Sequence, residues 1–439
     1  FLNARLNDAE KRRIFEGTIH SFLIQGCSVA LVFGANLILA RWAGSDSYGE
    51  YVHVFNWVSI LSVCVTGGRE DLVLTEIPRY YAGNQPGRIA SLIRRTNRHV
   101  LIATLLVGCV FMSVVQLFAI PTLHEYRTEF LIAWGAVFFS AYLSLNQSIL
   151  QSLNFIRLCQ VVDKLIRPAL LATFFATAML LHSFAGTRLL ILLAEASLGI
   201  CAVFLALIMR NKTRIYFRAV REVVGDGFTR KTFYFFLITL MTLLVTKITM
   251  LVLPFFAPRA EIGIFNISSR FADLVIYPFY LMHNVLPQLF ARHATSDPAQ
   301  KQSLYRSATR LMAALALPLL LFNLLAGKFL LGLFGQPFRG GYAALVLLSF
   351  SQFLYSLSGP ANTVLMMQNR EAYAVLCLLA YVVLLTAASF WLVPIWGITG
   401  GAAAVLGSCL IYNTMLAACA YRLNGVMSPF FAFLVRWRR

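Results

Sequence analysis

The chain has 439 residues, of which 59% are hydrophobic and only 13% are charged, and its formal net charge is +19. A soluble domain usually carries about 25% charged residues, so this chain has too few of them to cover a water-facing surface of its size. The composition excludes an ordinary soluble domain and predicts that most of the surface faces lipid.

Long apolar runs follow one another along the whole chain. A membrane-spanning helix needs about 20 mainly apolar residues, and lipid leaves no backbone group unpaired, so each run should form a continuous helix. The predicted spans are 18–40, 50–67, 99–120, 129–152, 166–184, 188–209, 232–256, 262–290, 308–326, 342–366, 372–393 and 397–420. The helix of the second span could continue past Gly67 and Gly68 toward Tyr81, partly in water.

The lysines and arginines are concentrated in every second gap between these spans. Because basic loops stay on the cytoplasmic side, this alternation predicts that both termini are cytoplasmic. The positive charge is then explained by topology and by attraction to anionic membrane lipids, and no nucleic-acid partner is expected. The basic tail after the last span is too short to cross the membrane and should lie in its interface.

The basic gap in the middle of the chain separates two halves that resemble each other. Gly44, Tyr48 and Gly49, between the first and second spans, are matched by Glu261, Gly263 and Phe265 between the seventh and eighth. Six spans per half give the two halves the same orientation, as in transporters built from parallel repeats. The predicted fold is therefore an all-α polytopic membrane protein of about twelve helices, in two pseudo-symmetric six-helix lobes around a central cavity. The predicted boundaries are a lobe at 1–209, a basic cytoplasmic linker at 210–231, a lobe at 232–421 and an interfacial basic tail at 422–439.

Several short motifs occur in a specific order. Residues 39–49 read LARWAGSDSYG and resemble a signature LAR-x-x-G-x-x-x-YG. Residues 263–270 read GIFNISSR and resemble G-x-Y-x-x-A-x-R, from which Phe265 and Ser268 depart. Further landmarks match at Pro287, 334–338, 367–370 and 393–402. Together these motifs resemble the polysaccharide, or O-antigen, flippases of the multidrug/oligosaccharidyl-lipid/polysaccharide exporter superfamily, over most of the chain.

The resemblance implies a V-shaped, two-lobed transporter in a bacterial inner membrane. It implies a polyprenyl-pyrophosphate-linked oligosaccharide as substrate, moved from the cytoplasmic to the outer leaflet for synthesis of a surface polysaccharide such as the O-antigen of lipopolysaccharide. Other polysaccharide-assembly proteins are then candidate partners.

Two cations inside the spans are the candidates for binding an anionic headgroup. An intramembrane charge costs about 2.5–3.5 kcal/mol on insertion scales, so a retained one indicates function. At about 1.5 Å per residue, Lys247 and Arg270 lie roughly 12–14 Å below the outer surface on consecutive helices. Asp273, three residues after Arg270, can share its face. Lys247 and Arg270 are predicted to receive the pyrophosphate, against the alternative of a static ion pair between either cation and Asp273.

Two other positions carry weaker predictions. Arg69, after Gly67 and Gly68, could meet the headgroup at the cytoplasmic mouth, or lie on an ordinary solvated helix end. Glu195 has apolar neighbours in the sixth span, which would favour a protonatable site, so Glu195 and Asp273 are the candidates for ion coupling. For Glu195 a plain interhelical hydrogen bond is the alternative.

No enzymatic chemistry is expected from this chain. It contains no GxxxxGK[ST] phosphate-binding loop and no nucleophile elbow, and its cysteines and histidines show no metal-ligand spacing, so no metal or cofactor is predicted. A cation-coupled multidrug antiporter of the same superfamily is the main alternative function. Such an exporter should line its cavity with carboxylates, whereas Lys247 and Arg270 would repel a cationic drug. A membrane-embedded glycosyltransferase or polymerase is the third, disfavoured because no long extramembrane loop is present.

Overall fold

The computed structural model describes residues 8–117, 125–181, 186–217, 230–283, 298–358 and 371–424. Within these ranges the chain forms helices and short turns, without β-strands. The helices of the first half are α1 (Asp8–Thr66), α2 (Arg69–Ala82), α3 (Pro86–Leu117), α4 (Arg127–Ile132), α5 (Trp134–Ser152), α6 (Ile156–Val161), α7 (Arg167–Leu180) and α8 (Thr187–Phe217). A π-helical turn, Val162–Ile166, joins α6 to α7.

The helices of the second half are α9 (Arg230–Val252), α10 (Arg259–Ala272), α11 (Tyr277–His283), α12 (Pro298–Gly332), α13 (Tyr342–Ser358) and α14 (Glu371–Asn424). Short 3₁₀ turns follow α9 at Leu253–Phe255, join α10 to α11 at Asp273–Ile276 and precede α13 at Gln336–Gly341. The chain from α10 to α11 is therefore almost continuously helical, with one tightened turn in the middle.

Two of the helices are sharply bent at a glycine. Gly44 in α1 has φ +76° and Gly397 in α14 has φ +55°, a region that glycine enters without the steric cost borne by other residues. Each bend divides one long helix into two shorter ones. Gly67 and Gly68 also have positive φ, and they end α1 and start α2. The predicted second helix thus stops at these glycines, and a separate helix continues to Ala82.

The all-α polytopic fold is confirmed. Each of the twelve predicted spans overlaps a helix of the described ranges, and the bends at Gly44 and Gly397 separate the first two and the last two of these spans. Seven of the described helices are long and apolar enough to cross a membrane by length and composition, and the two bent helices are among them. The sidedness of the termini remains a prediction.

The chain divides into two compact units. The first comprises Phe1–Gly44 and Val54–Leu240, and the second comprises Ser45–His53 and Met241–Arg439. The lobe, linker and tail boundaries given above remain predictions. Helix α8 extends to Phe217, inside the predicted linker, while the rest of that linker up to 229 and the tail from 425 onward lie outside the described residues.

Within the second unit, the short segment 45–53 packs on the start of α10. Tyr48 is fully buried, and its hydroxyl accepts a hydrogen bond of 2.7 Å from Nδ2 of Asn266. A Cβ at Gly263 would lie 2.7 Å from the Tyr48 ring, and a Cβ at Gly49 would overlap the carbonyl oxygen of Arg259. The glycines of the two sequence motifs are thus needed because the two motifs pack directly against each other.

Candidate anion-binding site

Lys247, Arg270 and Asp273 come together in the second unit. Lys247 lies in α9, Arg270 in the last turn of α10, and Asp273 is the first residue of the 3₁₀ turn that follows. Lys247 interacts electrostatically with both Arg270 and Asp273, as the sequence predicted from their matching depth. The three side chains therefore form one cluster with an excess of positive charge.

The cations of this cluster are not neutralised by direct contact. Among the residues that the structure describes, neither Lys247 nor Arg270 forms an ion pair or a hydrogen bond. Asp273 is instead bonded to Gln352 of α13, whose Nε2 donates a hydrogen bond of 2.9 Å to Oδ1 of Asp273. The alternative of a static ion pair at this position finds no support in the observed geometry.

The two cations remain accessible to a ligand. The side chain of Arg270 is exposed, and that of Lys247 is partly buried. An arginine fork can bind two phosphate oxygens at once, while a lysine ammonium acts as a compact point charge. The two side chains thus offer both kinds of contact to a multiply charged oxyanion.

Neighbouring buried polar groups fix the backbone that carries the cluster. Asn323 of α12 donates from Nδ2 to the carbonyl oxygen of Phe271 at 2.9 Å and to Oγ of Ser349 at 3.0 Å. Ser268 donates to the carbonyl oxygen of Ile264 or of Gly341, at 2.9 and 3.1 Å. These bonds tie the end of α10 to α12 and α13, so Arg270 and Asp273 project from a rigid support.

In the first unit, Arg69 belongs to a second basic cluster. It is the first residue of α2, partly buried, and it lies against Gly67 together with His99 of α3. Burial and the charge of Arg95, also on α3, lower the pKa of Arg69 to about 10, so this guanidinium stays charged at neutral pH. Two arginines that repel each other at a break between helices are an arrangement that an anion would stabilise.

The two carboxylates that follow Arg69 are bonded elsewhere. Glu70 forms hydrogen bonds with Ser144 of α5 and Thr66 of α1, and Thr239 of α9 donates to Oδ2 of Asp71 at 3.3 Å. Three consecutive residues of one helical turn thus contact three different parts of the first unit. Arg69 itself is partly buried and interacts electrostatically with Arg95 and His99 of α3, and its contact with a headgroup remains a prediction.

Glu195 lies in α8 of the first unit, partly buried, against the backbone of α5 at Gly135. A Cβ at Gly135 would overlap Oε1 of Glu195, so this glycine provides the space that the carboxyl group occupies. Glu195 belongs to the first unit, whereas Lys247, Arg270 and Asp273 belong to the second. Its predicted part in ion coupling remains a prediction.

Sequence reasoning missed three members of these clusters: Gln352, Arg95 and His99. Gln352 is uncharged and lies far along the chain from Asp273, so only the packing of α13 reveals the contact. Arg95 precedes the predicted third span, 99–120, and His99 is its first residue, but both lie on the long helix α3. Their four-residue spacing, which places side chains on one helix face, could have revealed the pair.

Comparison with known proteins gives matches at the level of structure. No protein-family model matches the sequence, and no curated protein matches it either. A multidrug resistance MATE family transporter of the MOP superfamily, in an inward-facing conformation, superposes with a TM-score of 0.69 at 14% identity, over 93% of this chain and 98% of that chain. The lipid II flippase MurJ, in an inward closed conformation, gives a TM-score of 0.69 at 14% identity, over 91% and 87%.

The chain has the fold of the MOP-superfamily transporters. An outward-facing MATE family transporter also matches, with a TM-score of 0.61 at 15% identity, over 92% of this chain and 96% of that chain. The chain is thus a multi-pass membrane protein whose similar structures are transporters. A multidrug transporter and a lipid flippase match with the same TM-score, so the fold does not distinguish between their substrates.

Proposed function

We propose that this protein flips a polyprenyl-pyrophosphate-linked oligosaccharide from the cytoplasmic to the outer leaflet of a bacterial inner membrane, for the synthesis of a surface polysaccharide. The observation that carries the proposal is the pair of accessible cations, Lys247 and Arg270, that lack an ion-pair partner among the described residues. A pyrophosphate leaving water needs its charge compensated, because burying an unpaired ion is costly. The two cations would supply that compensation.

The cation cluster also argues against the multidrug antiporter. A cationic drug would have to pass two positive side chains, and the one carboxylate beside them, Asp273, is bonded to Gln352. Like charges placed close together disfavour binding, by several kcal/mol when they are poorly solvated. An anionic substrate therefore fits this site better than a cationic one.

Arg69 is proposed as an earlier contact of the same headgroup, on the first unit. Its neighbours Arg95 and His99 would extend the positive surface along α3. Glu195 and Asp273 are proposed as the groups that couple transport to a cation gradient. Transport in this scheme breaks no covalent bond, so the protein is proposed to act without enzymatic chemistry or a cofactor.

Deletion of the gene, followed by analysis of surface polysaccharide and of polyprenyl-linked intermediates, tests the proposal. Loss of surface polymer with accumulation of the complete lipid-linked repeat unit on the cytoplasmic leaflet is the expected outcome. Unchanged polymer together with new sensitivity to cationic drugs would instead establish the antiporter.

Complementation of the deletion strain tests the site. Lys247→Ala and Arg270→Ala are expected to restore little polymer, because each removes one of two charges that face the pyrophosphate. Lys328→Ala and Arg339→Ala are matched controls in the same unit. Nζ of Lys328 lies over the ring of Tyr342, 5.2 Å from the ring centroid, and Arg339 is an exposed residue of the 3₁₀ turn Gln336–Gly341. The site assignment would be wrong if the two site variants restored normal polymer while the variant proteins were present in the membrane at the same level as the controls.

A further inference from the structure

Asp273 occupies an unusual position beside the two cations. It is close enough to interact electrostatically with Lys247, Arg270 and the hydroxyl of Tyr280. Its one hydrogen bond among the described residues nevertheless comes from the neutral amide of Gln352. A carboxylate near two cations gains more from a charge-assisted bond to one of them than from a bond to an amide. Something in the local structure must therefore hold it away from the cations.

Gln352 is placed to provide that restraint. It is partly buried and lies in α13, which is joined to α12 about one turn earlier by the hydrogen bond from Asn323 to Ser349. The 3₁₀ turn that starts at Asp273 tightens the backbone there. The amide donor and the carboxylate thus project from two elements that are both well supported.

We propose that Gln352 is a positioning residue that holds Asp273 away from Lys247 and Arg270, and that it thereby sets the affinity of this site for phosphate groups. This inference rests on the proposed function and deepens it. Asp273 is an internal anion that competes with the phosphate of the substrate for the same two cations. With the Gln352 bond intact, the cations are open to a ligand. When the bond breaks, Asp273 can reach the cations and displace the phosphate.

The inference predicts opposite effects for the two partners of the hydrogen bond. Gln352→Met keeps the length of the side chain but removes the donor, so Asp273 is free to neutralise the cations. Asp273→Asn removes the competing charge and keeps the shape. We expect the first variant to bind a prenyl pyrophosphate about tenfold more weakly and the second about tenfold more tightly, a tenfold change being about 1.4 kcal/mol.

The experiment uses the full chain in lipid nanodiscs, with binding of farnesyl pyrophosphate measured by isothermal titration calorimetry. The decisive protein is the double variant Asp273→Asn/Gln352→Met. With no carboxylate left to release, loss of the amide should have no further effect, and the double variant should bind as tightly as Asp273→Asn alone. Gln336→Ala, an exposed glutamine of the same unit, is the control and should bind like the unmodified protein.

The outcomes separate this inference from the proposed function. If Gln352→Met weakens binding equally with and without Asp273, Gln352 has only a packing role and the inference is wrong. Unchanged affinity in Gln352→Met would also overturn it. If the unmodified protein binds no farnesyl pyrophosphate, or binds it equally well after Lys247→Ala, the proposed function itself fails at this site.

Discussion

Gly49→Ala is the substitution whose effect follows most directly from the geometry. The added Cβ would overlap the carbonyl oxygen of Arg259 and lie 3.4 Å from the backbone nitrogen of Gly263. Both atoms belong to the backbone of α10, so no side-chain rotation can relieve the overlap. Segment 45–53 must move away from α10, and overpacking of this kind typically costs about 1–3 kcal/mol.

The same movement has a second cost. The bond from Asn266 to Tyr48 is 2.7 Å long, and a displacement of about 1 Å would take it beyond hydrogen-bonding distance. Both residues are buried, so an unpaired donor there adds about 1–3 kcal/mol. We therefore expect Gly49→Ala to lower the stability of the second unit by roughly 2–6 kcal/mol, the sum of these two ranges.

Thermal unfolding in detergent, followed with a thiol-reactive fluorophore, measures this loss. Cys377 and Cys409 are buried in the second unit and become reactive when it unfolds. Gly407→Ala is the control, because a Cβ at Gly407 meets no atom within 4 Å and alanine favours a helix over glycine. The midpoint should fall for Gly49→Ala and stay the same or rise for Gly407→Ala. A wild-type midpoint for Gly49→Ala would refute the close packing of 45–53 on α10.

Four further predictions concern single side chains, one of them the ion-paired Asp163. Tyr48→Phe should destabilise the second unit by about 1–2 kcal/mol, because it leaves a buried amide without its acceptor; the same thermal assay measures this, and a neutral result would exclude the bond. Glu195→Gln should abolish any dependence of transport on a proton gradient, measured in proteoliposomes with an imposed pH difference; persistent dependence would rule out coupling at this residue. Arg69→Cys, labelled with a soluble maleimide, should be protected by a prenyl pyrophosphate, and equal labelling with and without ligand would count against contact. Asp163→Asn should lower the melting temperature at pH 7 by the equivalent of about 1 kcal/mol and should have a smaller effect near pH 3, whereas an equal effect at both values would contradict the ion-pair explanation.

The pH dependence at Asp163 follows from its two ion pairs. Burial alone would raise its pKa, but the nearby cations Lys164 and Arg167, at 3.0 and 3.6 Å, outweigh burial and hold the pKa of this carboxyl group below its usual value. A carboxyl group with a lowered pKa stabilises the fold above its unfolded pKa of about 4, and the contribution is lost as the pH falls. Asp163 lies just before the predicted fifth span, in the π-helical turn.

The sequence allowed the helices to be predicted because spanning a bilayer requires long apolar runs, which are visible without knowledge of tertiary contacts. It also allowed Lys247, Arg270 and Asp273 to be selected, because charges are costly inside lipid and stand out against an apolar background. Gly49 and Gly263 were noticed as matching motifs of a repeat. Their direct contact was not predicted, since it depends on how a short segment near the first bend packs on a helix far along the chain.

The sequence did not reveal contacts that depend on the direction in which a side chain points. An ion pair between Asp273 and a cation is the alternative that the sequence leaves open, and only the structure shows that this carboxylate is bonded to Gln352. Arg69, Glu70 and Asp71 appear as a run of mixed charges in the sequence, yet each contacts a different helix. Packing against neighbouring helices fixes the direction of the side chain at such positions. Residue composition and spacing therefore do not predict it.

The second unit consists of two separate stretches of the chain, and this has a consequence for expressing the protein as fragments. A polypeptide that starts at α9 would contain α10 and its partners α12 and α13 but would lack 45–53. In that fragment the side-chain amide of Asn266 would lose its hydrogen bond to Tyr48, and Gly263 would lose its contact with the Tyr48 ring. Two half-length fragments of this protein should therefore accumulate only when they are synthesised together, each depending on the other for protection from proteolysis.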